Sequence, residues 1–322
     1  MTGSDDRLQN RTTPQGSGSL EQEDSPPTEQ PLVVTLMLCH KHVDMAARLI
    51  PPFQANLRDK HKLWVFDDGT FTEADLERVH ATIKPDRVIS LEEANDLVIP
   101  ALAKYPSCQR LREGHVVMRK LLDMPMVANS TMAMVDSDVT AISPFTGLDR
   151  RGVGDEPIAM MIDYGEAYSM TYWHRHFGPG RVQLVDRANA GFVYLTPEVY
   201  DLDFIEHFVS DDRNLSRSRW MMEQTAWAAI TARTGGCFFD PDQVSMPPRD
   251  PGQPRSSVVL HFISRLRHAM DEPGYLDQLF ESGRQQPPRQ LATIPAPSSG
   301  FTAGLIKKVL ARGNRRHFVK SA

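Results

Sequence analysis

Apolar and polar positions divide the chain into three parts. From Met1 to Pro31 the only large apolar residues are Met1, Leu8 and Leu20, set among Gly, Pro, Ser, Gln and Glu. Such a stretch cannot bury enough surface to offset its chain entropy, so residues 1–31 are expected to form a disordered tail. From Leu32 onward, short β-rich runs alternate with helix-period stretches. LVVTLML (32–38) is followed by a helix over 43–50, which Pro51-Pro52 should stop. LWVF (63–66) is followed by a helix from a Thr72 cap, with Asp75 three residues on, to about Ile83. A third strand is expected at 87–91, helices over 91–104 and 113–123, and a fourth strand at MAMV, 132–135. Strands alternating with helices imply crossover units. The expected fold is therefore α/β, with a Rossmann-like, mainly parallel central sheet flanked by helices in one domain, residues 32–280. Residues 281–322 read as a Pro-containing linker and a basic tail, in which Phe301, Leu305 and Val309 share one helical face.

In a parallel sheet the C-terminal ends of the strands share one edge, and in open α/β folds ligands bind just beyond it. Three expected strands end in polar clusters: Cys39-His40, Asp67-Asp68 and Asp136-Ser137-Asp138. Loops are polar in any case, so one cluster says little. Three on one edge predict a crevice. The pattern Asp-x-Asp alone is weak, since it recurs at 201–203 and 240–242. The copy at 136–138 differs because it follows an apolar strand. There, two hard carboxylates at i and i+2 either cap the next turn or reach one divalent cation. Oxygen ligands suit Mg²⁺ or Mn²⁺, ions that substrate phosphates often complete.

Residues 218–234 (SRWMMEQTAWAAITART) read as a helix with Ser218 as N-cap and Gly235-Gly236 as the stop. Glu223 falls on the stripe of Trp220, Trp227 and Ile230. A carboxylate inside an apolar face needs a partner or a cavity. A substrate pocket would supply one; a salt bridge to Arg217 or Arg219 is the structural alternative.

Composition narrows the field. The net charge of −5 gives no reason to expect nucleic acid as a partner. Cys39, Cys108 and Cys237 are odd in number and scattered, which points to a reducing compartment and a cytoplasmic location. No run of about 18 apolar residues and no signal-peptide core is found. The pairs His40/His42 and His174/His176 lack companions at zinc-ligand spacing. The proline-rich stretch 241–254 is a loop, either a lid or a connector. The basic tail could make peripheral contact with an anionic membrane; a solvated tail and a helix docked on the body are equally open.

The segment at 136–138 resembles the Asp-x-Asp region of GT-A-fold glycosyltransferases, nearest in style to the glycogenin-like family eight and related bacterial enzymes. Further pieces match in order over roughly residues 32–270. Asp67-Asp68-Gly69 resembles the acidic nucleoside-contacting motif, and Arg119-Lys120 stands where a basic residue approaches the donor. Asn189-Ala190-Gly191 resembles the segment beside the donor sugar, Glu223-Gln224 the acidic-Gln pair near the reacting sugar, and VVLHF (258–262) the strand whose histidine completes the metal site. The family's Lys-Pro-Trp is missing; Ser264-Arg265-Leu266-Arg267 stands there instead.

The resemblance implies a GT-A fold and a metal-dependent sugar transfer from a nucleotide-sugar, UDP-linked, to a glycan, lipid or small-molecule acceptor. It implies Mn²⁺ or Mg²⁺ held by Asp136, Asp138 and His261. Cys39, His40, Asp67, Asp68, Gly69, Arg119, Lys120, Ser137, Asn189, Ala190, Gly191 and Arg265 would hold the donor. An oxocarbenium-like transition state needs a nearby carboxylate, and Asp163, Glu166 and Glu223 are the candidates, with Gln224 as a second stabiliser. Family eight leans towards retention.

Two other classes compete. A non-catalytic sugar-nucleotide or glycan-binding module could keep the same fold. WVFDDGT suggests a haloacid-dehalogenase phosphohydrolase, but Asp67 and Asp68 are adjacent, so the second acid would point away from the nucleophile's face of the strand. A nucleotidyltransferase would need a Gly-rich phosphate loop after the first strand, and none is present.

Overall fold

The structure is a computed structural model that describes residues 31–149, 156–177, 182–252 and 256–297. Residues 1–30 of the tail expected at 1–31, and the helical face at 301–309, lie outside the described residues. The strands are β1 (Leu32–Leu38), β2 (His61–Asp67), β3 (Arg87–Ile89), β4 (Met132–Val135), β5 (Val139–Ala141), β6 (Phe145–Thr146), β7 (Ile158–Ile162), β8 (Ala188–Leu195), β9 (Cys237–Phe239), β10 (Val244–Ser245), β11 (Val259–His261), β12 (Arg289–Gln290) and β13 (Thr293–Pro295). The α-helices are α1 (Val43–Asn56), α2 (Glu73–Arg78), α3 (Leu91–Ala101), α4 (Pro106–Gly114), α5 (Met118–Ala128), α6 (Tyr172–Phe177), α7 (Leu202–Ser210), α8 (Met222–Thr234) and α9 (Tyr275–Arg284).

Eight strands form one sheet in the order β13-β9-β7-β8-β4-β1-β2-β3. Four of its seven pairings are parallel: β3-β2, β2-β1, β1-β4 and β7-β9. The expected α/β architecture is thus present, with a reversal where β8 runs antiparallel to both β4 and β7. That reversal positions the site. The start of β8, not its end, lies at the edge where β1, β2, β4 and β7 finish.

The nearly continuous apolar run of β1, broken only by the buried Thr35, follows from burial on both faces. Leu32, Val34, Leu36 and Leu38 pack on the side of α1, with Ala46, Ile50 and Phe53. Val33 and Met37 turn to the other face, with Val98, Leu121 and Trp227 from α3, α5 and α8. A second sheet, β10-β11-β5, sets His261 opposite Val139, the residue after Asp138.

Several boundaries differ from expectation. Helix α1 runs through Pro51 and Pro52 to Asn56. An interior proline costs about 3 kcal/mol, but Leu49, Ile50 and Phe53 are fully buried on this turn and hold it in place. The Thr72–Asp75 capping box forms as expected, yet α2 ends at Arg78 and a π-turn carries the chain to Ile83. Helix α4, with Pro106 in its first turn, was not anticipated, and α5 lies five residues beyond the expected start. Residue 280 lies inside α9, and beyond it, among the described residues, β12 pairs with β6 and β13 with β9. Among the described residues no helix is long and apolar enough to cross a membrane.

Candidate functional site

The turn after β4 is tied across the sheet edge. Asp136 N–H donates to the Gly191 carbonyl at 2.8 Å, and Phe262 N–H donates to the Asp138 carbonyl at 2.8 Å. These bonds bring together side chains 125 residues apart in sequence. One atom each from Asp136, Asp138 and His261 lies within 4.8 Å of the others, and this is a group that could hold a metal ion.

Each aspartate has one oxygen occupied and one turned inward. Lys120 Nζ sits 2.6 Å from Asp136 Oδ1, leaving Oδ2 at 3.9 Å from His261 Nε2. Arg267 donates through Nε and Nη2 to Asp138 Oδ2, both at 2.7 Å. Asp138 Oδ1 is then left 3.1 Å from His261 Nε2, buried and without a hydrogen bond. Burial alone would raise the Asp138 carboxyl, but His261 and Arg267 outweigh it and hold it at about 2. An ionised, buried, unsatisfied oxygen beside an imidazole nitrogen and a second carboxylate fits a divalent cation of the Mg²⁺ or Mn²⁺ kind.

Histidines that ligate metals usually donate from the far nitrogen. Here His261 Nδ1 is buried with no such partner. The ring is held by contact instead. A Cβ on Gly191 would lie 2.1 to 2.8 Å from three of its atoms, so Gly191 is the residue that admits His261. Gly191→Ala is accordingly expected to displace the ring and, where the group takes up a divalent cation such as Mn²⁺, to weaken that binding 10-fold or more. Titration calorimetry, with a melting curve to verify the fold, checks this; unchanged Mn²⁺ affinity would refute it.

Glu223 is buried at 6 % exposure, on the first turn of α8. Its partner is neither Arg217 nor Arg219 but Lys120, whose Nζ lies 3.5 Å from Oε1. That is an ion pair at the edge of hydrogen-bond reach, and Oε1 has no hydrogen bond. Burial pushes the Glu223 carboxyl up to about 7 against the opposing pull of Lys120. Burial alone would lower Lys120; Asp136 and Glu223 overcome it and raise the ammonium instead. Lys120 therefore joins the cage to Glu223. The expected apolar stripe is only partly formed: Ser218 makes no side-chain cap, residues 219–221 form a 3₁₀ turn, and Trp220 is 68 % exposed. Gly235, at φ 72°, ends α8 as expected.

A hydrogen-bonded line runs from this group to Asp163. Asn189 donates from Nδ2 to Asp163 Oδ2 at 2.9 Å, and its Oδ1 accepts from Gly191 N–H at 2.8 Å. Gln224 Nε2 donates to the Ala167 carbonyl at 2.8 Å, and its Oε1 accepts from Ala190 N–H at 3.4 Å. Glu166 stands apart from this line, 3.2 Å from Arg175.

The other edge residues are more local. Asp67 Oδ1 accepts from Gly69, Thr70 and Phe71 N–H, and Asp68 Oδ1 accepts from Thr70, so both carboxylates shape their own turn. Gly69, at φ 91°, is required there. Arg119 donates to the Asp68 carbonyl at 2.7 Å. Cys39 heads the 3₁₀ turn of residues 40–42. His40 reaches Asp75 at 2.7 Å and so serves the capping box. Arg265 lies in the same turn as Arg267, residues 264–271.

Two residues escaped the sequence reading. Arg267 was visible only as one of two arginines two apart, and the direction of the turn decides which meets Asp138. His42 lies at the cage, its Nδ1 3.4 Å from Ser137 Oγ, and burial with Arg267 nearby lowers its pKa. The zinc reading of His40-Lys41-His42 had set it aside.

No family model matches this chain, and no curated protein matches it. Solved structures similar to it include the galactosyltransferase LgtC in complex with donor and acceptor sugar analogues, at 14 % identity over 83 % of this chain and 88 % of that one, TM-score 0.42. The bifunctional glycosyltransferase WbbM in its apo form is similar at 10 % identity over 81 % and 51 %, TM-score 0.47. Mouse xyloside xylosyltransferase 1, apo form, is similar at 10 % identity over 83 % and 99 %, TM-score 0.43.

Proposed function

We propose that this chain is a GT-A-type glycosyltransferase that moves a hexose from a UDP-linked donor to an acceptor with retention of configuration. One observation carries the reading: Asp136, Asp138 and His261 each present one ligand atom at the sheet edge, with the buried Glu223 joined to them through Lys120. In this reading the three ligands hold Mn²⁺ or Mg²⁺, which when bound neutralises charge on the diphosphate leaving group. Lys120 and Arg267 hold the outer oxygens and keep both carboxylates aimed. Arg119, Ser137 and the turn at Asp67-Asp68-Gly69, with Cys39 and His40, line the approach of the nucleotide, and Arg265 is assigned to the donor with them. Asn189, Ala190 and Gly191 set the floor beside the sugar. Asp163, Glu223 and Gln224 stabilise the cationic sugar.

Calorimetry of UDP with Mn²⁺ and with EDTA tests the reading, together with hydrolysis of a panel of nucleotide-sugars. Metal-dependent UDP binding and turnover of one donor are expected. Identical UDP affinity in EDTA would remove the metal from the site. Tight metal-dependent binding with no hydrolysis or transfer of any donor would favour a non-catalytic module.

A further inference from the structure

Beside Asp163 a cleft of about 660 Å³ opens between the ends of β7 and β10. Its size is that of a small-molecule site, roughly 300–1,000 Å³. A larger cleft, about 910 Å³ beside α9, contains none of the candidate site residues. We infer that the smaller cleft is the acceptor site and that the acceptor is a saccharide; this rests on the glycosyltransferase reading.

Four features carry the inference. First, Asp163 lines the cleft and is hydrogen-bonded through Asn189 and Gly191 to the Asp136 turn, so an occupant would touch a residue tied directly to the proposed site. Second, the walls combine groups that accept from hydroxyls with groups that donate to them: Asp163 and Asp242, Arg187, and Ser245 with Ser257, whose hydroxyls are 2.9 Å apart. Third, Tyr164 stands at the cleft 70 % exposed. An exposed ring beside polar walls offers a flat apolar face, which matches the C–H face of a pyranose, whereas an acyl chain would strand the polar walls without partners. Fourth, Arg187 has a left-handed backbone, φ 55°, which costs energy in a residue with a Cβ and clusters at functional sites. Its carbonyl accepts from Asp163 N–H at 2.7 Å. No ion pair engages its guanidinium among the described residues.

The test uses the full chain with UDP and Mn²⁺ on a printed glycan array, followed by saturation-transfer NMR with the best glycan. Phosphatidylglycerol–phosphatidylcholine vesicles serve as the lipid arm. The variants are Tyr164→Ala and Arg187→Gly; glycine accepts the left-handed backbone, so the second should fold at least as well. Glycan binding is expected, weakened 10-fold or more in each variant, with UDP–Mn²⁺ affinity within twofold of the parent. Vesicle binding in place of glycan binding, no glycan bound, or glycan binding untouched by both variants would each overturn the acceptor site while UDP–Mn²⁺ binding persists. Loss of UDP–Mn²⁺ binding in the parent would instead reject the glycosyltransferase reading.

Discussion

Glu223→Gln is expected to lower turnover about 100-fold or more, on the scale of a lost electrostatic stabiliser, without destabilising the protein. The reason is the sign of its pKa shift. Burial raises the carboxyl from 4.5 to about 7, so the folded chain binds this proton more tightly than the unfolded chain. The group's favourable contribution is complete below pH 4.5 and is lost as pH rises through 7. In alkaline solution the parent carries a penalty on the order of 3 kcal/mol that the glutamine lacks. Lys120 keeps Asp136 at 2.6 Å in the variant and is not stranded. Thermal unfolding in EDTA should show the two proteins alike near pH 4.5, with the variant increasingly the more stable towards pH 8. A marked loss of stability at pH 8, with near-normal turnover per folded molecule, would remove Glu223 from the active site.

Asp138→Asn should abolish the metal-dependent part of nucleotide binding. Its Oδ1 is the inward, unsatisfied oxygen, and an amide at this place loses the charge that His261 and Arg267 are arranged around. The same substitution should flatten the acid limb of stability. The parent carboxyl is held at about 2, below its ordinary 3.8. That contribution is present above pH 3.8, is lost as pH falls through 2, and amounts to about 2 kcal/mol. Denaturant melts between pH 5 and 2 measure the slope, and calorimetry with Mn²⁺ measures the binding. Retention of metal-dependent UDP binding by the variant would show that the cation is held elsewhere.

The sequence showed the parallel half of the sheet because β1, β2 and β4 are apolar runs that end in polar clusters. It did not show the reversal at β8, since periodicity carries no strand direction. It misjudged α1 because a local rule about proline lost to the burial of Leu49, Ile50 and Phe53. Asp136 and Asp138 stood out as carboxylates at i and i+2 after an apolar strand, whereas His261 was pointed to only by the family resemblance; the structure brings the three together. What was not legible was division of labour within the cage. That Lys120 joins Asp136 to Glu223, that Arg267 holds Asp138, and that Gly191 makes room for a ring depend on contacts between residues up to 129 positions apart (267 − 138), which no local pattern records.

The last strand has a further consequence. β13 is supplied by Thr293–Pro295, beyond the boundary that composition suggests, and it covers the outer edge of β9. The covered strand is Cys-Phe-Phe, buried at all three residues. Pro295 removes one backbone donor from the outermost strand, and its opposite number at the far edge, β3, is only three residues long. Short edges and proline are how sheets resist recruiting strands from other copies. A chain shortened to residue 280 would expose Cys237–Phe239 as an apolar, unprotected edge, the feature from which copies self-associate into aggregates.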